Sequence, residues 1–134
     1  MRVALDTNVL AAAFATRGLC ADVVRAVLAE HELVVGPRVR SELWRVLIRK
    51  FGLPPEAVEK VDAFVAPYSS DAAAPPLAID LRDPDDERVL AEAVAGGAEV
   101  LVTGDGDLLD AAERAPIRIV SPRGFWDLLR SPEG

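Results

Sequence analysis

The chain has 134 residues, 51% of them hydrophobic, which suits one domain with its own core and excludes a disordered protein. One cysteine and one histidine exclude a disulfide framework, a Cys/His zinc site and the usual Ser–His or Cys–His hydrolases. A net charge of −7 argues against a protein that coats nucleic acid at large.

Val3-Ala4-Leu5 is a short, wholly apolar run, which reads as a buried parallel strand over residues 2–6. It stops at Asp6-Thr7-Asn8, and the apolar pattern resumes as a helix over about 8–15. Cys20, Val23, Val24, Val27 and Leu28 keep a 3.6-residue period, so a second helix is expected over 19–30, with Cys20 buried and His31 on the surface at its end. Leu33-Val34-Val35 reads as the second strand. Pro37 at a first helical position opens a third helix running to about Lys50 and closed by Gly52. Pro54-Pro55 starts a fourth, with Val58, Val61, Phe64 and Val65 as its buried stripe. Residues 67–77 carry the weakest pattern, and a short strand is expected either within 65–70 or at 77–80. Asp83-Pro84 starts a helix to about Ala95 that Gly96-Gly97 ends. Val100-Leu101-Val102 is a strand, Asp107 to about Glu113 a helix, Ile117 to Val120 a strand, and Pro122 to about Leu129 the closing helix. Apolar strands alternating with helices imply a three-layer α/β/α, Rossmann-like sandwich around a parallel sheet, as a single domain over 1–134. No signal-peptide pattern and no apolar run of ~18 residues is present, so a cytoplasmic location away from the membrane is expected.

Acids recur at the junctions of this plan. Asp6 stands just past the carboxyl end of the first strand, the edge where open α/β sheets bind ligands; the alternative is that Asp6 or Thr7 only caps the helix. Glu42 lies in the third helix beside the core positions Leu43, Leu47 and Ile48, sharing a stripe with Arg45 and Arg49. Either it forms an intrahelical Glu–Arg pair, worth only ~0.2–0.5 kcal/mol, or it is a metal ligand with Arg45 and Arg49 above it for phosphate. In Asp83-Pro84-Asp85-Asp86-Glu87, Asp83 is a natural N-cap, and Asp85 shares the outward face with Arg88 and Glu92. Asp86 heads the inward stripe of Val89, Leu90, Ala93 and Val94. Val100-Leu101-Val102-Thr103-Gly104-Asp105 repeats the plan of the first strand, with Asp107 either a further ligand or the cap of the next helix.

Residues 71–110 hold eleven acids and two arginines, net −9, which leaves the rest of the chain at about +2. Two carboxylates ~4 Å apart repel by about 4 kcal/mol at an effective dielectric of 20, so four clustered acids would either take up protons or hold a cation. Oxygen-only donors favour Mg²⁺ or Mn²⁺. Such a centre activates water and neutralises phosphate oxygens, the equipment of phosphodiester hydrolysis.

In order, Leu5-Asp6-Thr7-Asn8-Val9-Leu10, Ser41-Glu42-Leu43, Asp83-Pro84-Asp85-Asp86 with Val89-Leu90, and Thr103-Gly104-Asp105-Gly106-Asp107-Leu108-Leu109 resemble the motifs of the PIN-domain nucleases. The resemblance runs on to Ser121-Pro122-Arg123-Gly124-Phe125-Trp126 and is greatest to the VapC-like toxins of toxin–antitoxin pairs. It implies a Rossmann-like sandwich and a Mg²⁺/Mn²⁺-dependent endoribonuclease, and the reaction expected of this chain is cleavage of single-stranded RNA. The acidic quartet falls on Asp6, Glu42, Asp86 and Asp105, with Asp107 as a frequent fifth acid, and Thr7, Asn8 and Thr103 match positions that orient ligands or water. The resemblance also implies a homodimer and a small antitoxin protein that blocks the acidic pocket. A rival class is a catalytically idle module that uses the same pocket to bind a partner. An aspartyl-nucleophile phosphatase would want a second Asp two residues after Asp6, where Asn8 stands.

Overall fold

Val3, Ala4 and Leu5 are buried, as a strand covered on both faces requires, and they form the middle of β1 (Arg2–Leu5). In this computed structural model, which describes residues 1–71 and 74–131, the remaining strands are β2 (Glu32–Val34), β3 (Val100–Val102) and β4 (Arg118–Val120). All pairings are parallel, in the spatial order β2-β1-β3-β4, with helices flanking the sheet. Residues 72–73, within the weakly patterned 67–77 stretch, and 132–134, at the end of the proposed domain span, lie outside the described residues.

The helices are α1 (Thr7–Ala15), α2 (Leu19–Glu30), α3 (Pro37–Arg49), α4 (Pro55–Val65), α5 (Pro84–Ala95), α6 (Gly106–Asp110) and α7 (Pro122–Arg130). The helix expected over 107–113 is shorter, because α6 ends at Asp110 and a 3₁₀ turn follows over Ala112–Arg114. No ladder strand forms at 65–70 or 77–80 among the described residues. Instead Val35 and Ser69 make one isolated parallel bridge at the outer edge of β2. Two corrections concern packing. Ile48 and Phe64, expected inside, are 42% and 45% exposed. Phe64 spends its ring on Phe14, edge-on at 5.5 Å, and on Tyr68 at 6.2 Å.

The strand order creates the feature that positions the site. From β1 the chain crosses to β2 on one side, whereas β3 lies on the other. The carboxyl ends of β1 and β3 therefore flank a topological switch point, where a crevice opens because successive connections diverge. The register Leu5↔Val102 sets Asp6 beside Thr103, and the Asp6 backbone N–H donates to the Val102 carbonyl at 2.9 Å. Close backbone approach matters at one further junction. Gly36, before α3, sits against Glu92 of α5, and a Cβ there would come within 2.9 Å of the Glu92 Cβ.

Candidate metal centre at the switch point

Asp6 caps α1 and still faces the crevice, because a carboxylate has two oxygens. Its Oδ1 accepts the Thr7 backbone N–H at 2.7 Å, and its Oδ2 accepts the Thr103 hydroxyl at 2.6 Å. The fully buried Thr103 oxygen in turn accepts the Asp105 backbone N–H at 3.0 Å. Asp105 repeats the device one strand over: Oδ1 accepts the backbone N–H groups of Asp107 and Leu108, at 2.9 and 3.1 Å, which starts α6. Among the described residues no hydrogen bond engages Asp105 Oδ2. Capping and ligand roles are thus compatible for both acids, and Thr103 is the bridge between them.

Asp86 is relieved of capping duty by Asp83, whose Oδ1 accepts the Asp85 N–H at 2.9 Å. The Asp86 carboxylate meets those of Asp105 and Asp107, with one oxygen from each lying within 4.8 Å of the others. Partial burial, then the charges of Asp105, Asp83, Asp6 and Asp107, push the Asp86 carboxyl up to about 6 from an ordinary 3.8. Unrelieved carboxylate repulsion of this kind, with an all-oxygen donor set, fits a hard divalent cation. In metal-free protein the consequence has a definite sign. A carboxyl that binds its proton more tightly when folded contributes stability below its unfolded value and loses it as pH rises through about 6. Asp86→Asn should therefore raise Tm in EDTA at pH 7.5 and give little or no gain near pH 4, as read by a thermal-melt series; a gain independent of pH would contradict the repulsion.

Glu42 is reached from α1 and from its own helix. The buried Thr7 hydroxyl donates to Oε2 at 3.2 Å, and Arg38 Nε lies 2.7 Å from Oε1. The Arg38 Nε has no aligned acceptor, so that contact is a charge pair and not a directed hydrogen bond. Arg38 Nη2 reaches Asp85 Oδ1 at 2.8 Å, and its backbone N–H donates to Glu92 Oε1 at 2.6 Å. The Asp85 hydrogen bond and the Glu42 charge hold the Arg38 guanidinium above its ordinary range. The intrahelical partner of Glu42 is thus Arg38, one turn before it; Arg45 and Arg49 are exposed and make no ion pair among the described residues. Asp85 and Glu92, expected to face outward, join α5 to α3.

Asn8 Oδ1 accepts from Lys50 Nζ at 3.2 Å, which ties the start of α1 to the end of α3. Cys20 is half-buried, not fully buried, on the same cleft, and burial pushes its thiol up. His31 is half-buried, with Nδ1 3.1 Å from the chain's amino group. The fold thus brings Asp6, Thr103, Asp105, Asp107 and Asp86 to one place and attaches Glu42 through Thr7. The stripe of Glu42, Arg45 and Arg49 does not include Arg38, although i−4 is as good a helical neighbour as i+3. Thr103→Val keeps the shape and deletes the bridge, leaving the Asp105 N–H unpaired. We expect a stability loss of about 1–3 kcal/mol by urea unfolding and a 10- to 100-fold weaker Mn²⁺ affinity by calorimetry.

Comparison with known proteins agrees with this geometry. The profile described as "PIN domain" matches residues 2–107. The fold is similar to a chain in the crystal structure of VapBC2 from Rickettsia felis bound to a DNA fragment from their promoter. That likeness has a TM-score of 0.61 over 90% of this chain and 98% of that one, at 16% identity, and is one of fold alone. No curated protein matches the sequence. The profile spans β1 to the start of α6 and takes in every acid of the switch-point cluster, and on that match the chain belongs to the PIN-domain family.

Proposed function

We propose that this protein is a metal-dependent endoribonuclease that hydrolyses phosphodiester bonds of single-stranded RNA. The observation that carries the reading is the approach of Asp86, Asp105 and Asp107 to within 4.8 Å at the switch point, with Asp6 one hydroxyl away from Asp105. The quartet Asp6, Glu42, Asp86 and Asp105 would hold Mg²⁺ or Mn²⁺, with Asp107 as a fifth ligand. A divalent cation bound there supplies Lewis acidity for water and positive charge for the phosphate oxygens. The chain's own contribution is placement. Thr103 fixes Asp6 relative to Asp105, the α6 backbone fixes one oxygen of Asp105, and Thr7 fixes Glu42. Arg45 and Arg49, exposed on α3, offer positive charge to the RNA backbone.

The same reading makes the protein the toxin of a toxin–antitoxin pair, blocked by a small antitoxin and acting as a cytoplasmic homodimer. The fold likeness to a VapBC2 chain supports the antitoxin partner. No helix among the described residues is long and apolar enough to cross a membrane. Calorimetric titration with Mn²⁺ followed by digestion of a mixed RNA pool tests the activity. Metal uptake with cleavage is expected; uptake without cleavage would make the protein an idle binding module.

A further inference from the structure

Beside the acidic cluster lies a cleft of about 540 Å³, bounded by the start of α1, the start of α2, the end of α3 and the β3–α6 turn. Asp6 and Asp105 form part of its lining, and among the described residues Lys50 is the one cation that lines it. Lys50 is exposed yet not free-swinging, because Asn8 Oδ1 holds its ammonium at 3.2 Å and the Phe51 ring lies 5.7 Å beneath it. The β3–α6 turn adds Gly104 and Gly106 to the lining. Neither glycine has a positive φ, and a Cβ added at either would meet nothing within 4 Å. Their lack of a Cβ is therefore required neither by backbone conformation nor by packing, and it leaves this part of the lining without side chains. Arg45 and Arg49 line none of the cleft.

A polyanion approaching a protein of net charge −7 is repelled by the acidic surface around the centre, and a fixed cation beside the cleft lowers that repulsion in addition to any charge a bound metal supplies. We propose that the RNA strand enters this cleft between Lys50 and the Gly104–Gly106 turn, and that Lys50 contacts a backbone phosphate adjoining the cleavage site. The proposal rests on the nuclease reading and assigns it a path. As a phosphate contact, Lys50 positions the strand without reading sequence.

Fluorescence anisotropy with a labelled single-stranded RNA, in the Asp6→Asn background so that the strand survives, tests it at several salt concentrations. Lys50→Met should weaken binding equally for unrelated sequences and make the log–log salt slope shallower by about 0.7, while Lys50→Arg restores both. Gly104→Leu should weaken binding with Tm little changed, since a Cβ at this position meets nothing within 4 Å. In the parent, Lys50→Met should raise KM more than it lowers kcat. Unchanged affinity and slope in Lys50→Met would overturn the contact, and unchanged affinity in Gly104→Leu the path. If the parent loaded with Mn²⁺ neither binds nor cuts single-stranded RNA even at low salt, the nuclease reading itself falls, a result distinct from either.

Discussion

An Asp6→Asn protein should fold normally and lose Mn²⁺-dependent RNA cleavage by at least about a hundredfold. The lower bound is the upper end of what outer groups are worth: residues that only orient a metal ligand cost 10- to 100-fold when removed, and a direct ligand should cost at least the larger of these. The fold survives because Asn caps a helix about as well as Asp, so its side-chain oxygen can keep the Thr7 N–H bond that starts α1. What changes is the charge and the hydrogen bond from Thr103 to Oδ2. Removing that charge also lifts one of the repulsions acting on Asp86, which offsets part of the lost hydrogen bond. The measurement is digestion of a mixed single-stranded RNA pool with Mn²⁺, with a thermal melt of each protein alongside. A variant that melts like the parent and cuts as fast would remove Asp6 from the metal centre.

Much of this arrangement was readable from residue order, for a physical reason. A parallel strand is buried on both faces, so Val3-Ala4-Leu5 and Val100-Leu101-Val102 are unbroken apolar runs, and the first polar residue after each marks the sheet's carboxyl edge. Asp86 was separable from its neighbours because Asp83, ahead of Pro84, had already claimed the cap. The ambiguity at Asp6 and Asp105 between cap and ligand has no resolution in sequence, since one oxygen of a carboxylate can cap while the other stays available to a ligand. Arg38 was illegible in another way. Glu42 has helical neighbours both before and after it, and what selects the earlier one is Asp85, forty-three positions later in the chain, brought to α3 by the packing of α5. Long-range pairing also explains the 65–70 stretch. Val35 donates to the Tyr68 carbonyl at 3.1 Å and accepts from Ser70 N–H at 3.0 Å, a contact of backbones that leaves no side-chain pattern. Phe64 failed as a core residue because helical period gives direction and not depth; its side of α4 meets Phe14 and Tyr68 at the surface.

The region beyond the matched profile leads to the second large effect. Residues 2–107 match the PIN domain, yet the sheet is not complete there: β4 and α7 follow. Ser121 caps α7 by accepting the Gly124 N–H at 2.9 Å, and the helix then packs against α2 and β4, with Phe125 fully buried. Truncating Phe125 to alanine removes a ring that nothing nearby can replace, so a loss of about 3–5 kcal/mol is expected from the transfer and cavity terms together. Against a total of about 5–15 kcal/mol for a domain, that is a large fraction of the stability, and Tm should fall on the order of 10–15 °C. Urea unfolding of Phe125→Ala measures the cost, with the half-buried neighbour Trp126→Ala as the comparison expected to lose less. A cost below about 1 kcal/mol would mean that α7 is an appendage and that the switch-point sandwich is self-sufficient without it. The full cost would show that the last strand and helix belong to the same cooperative unit as the acids. In that case the spacing of Asp6, Asp86 and Asp105 depends on a ring the profile does not contain.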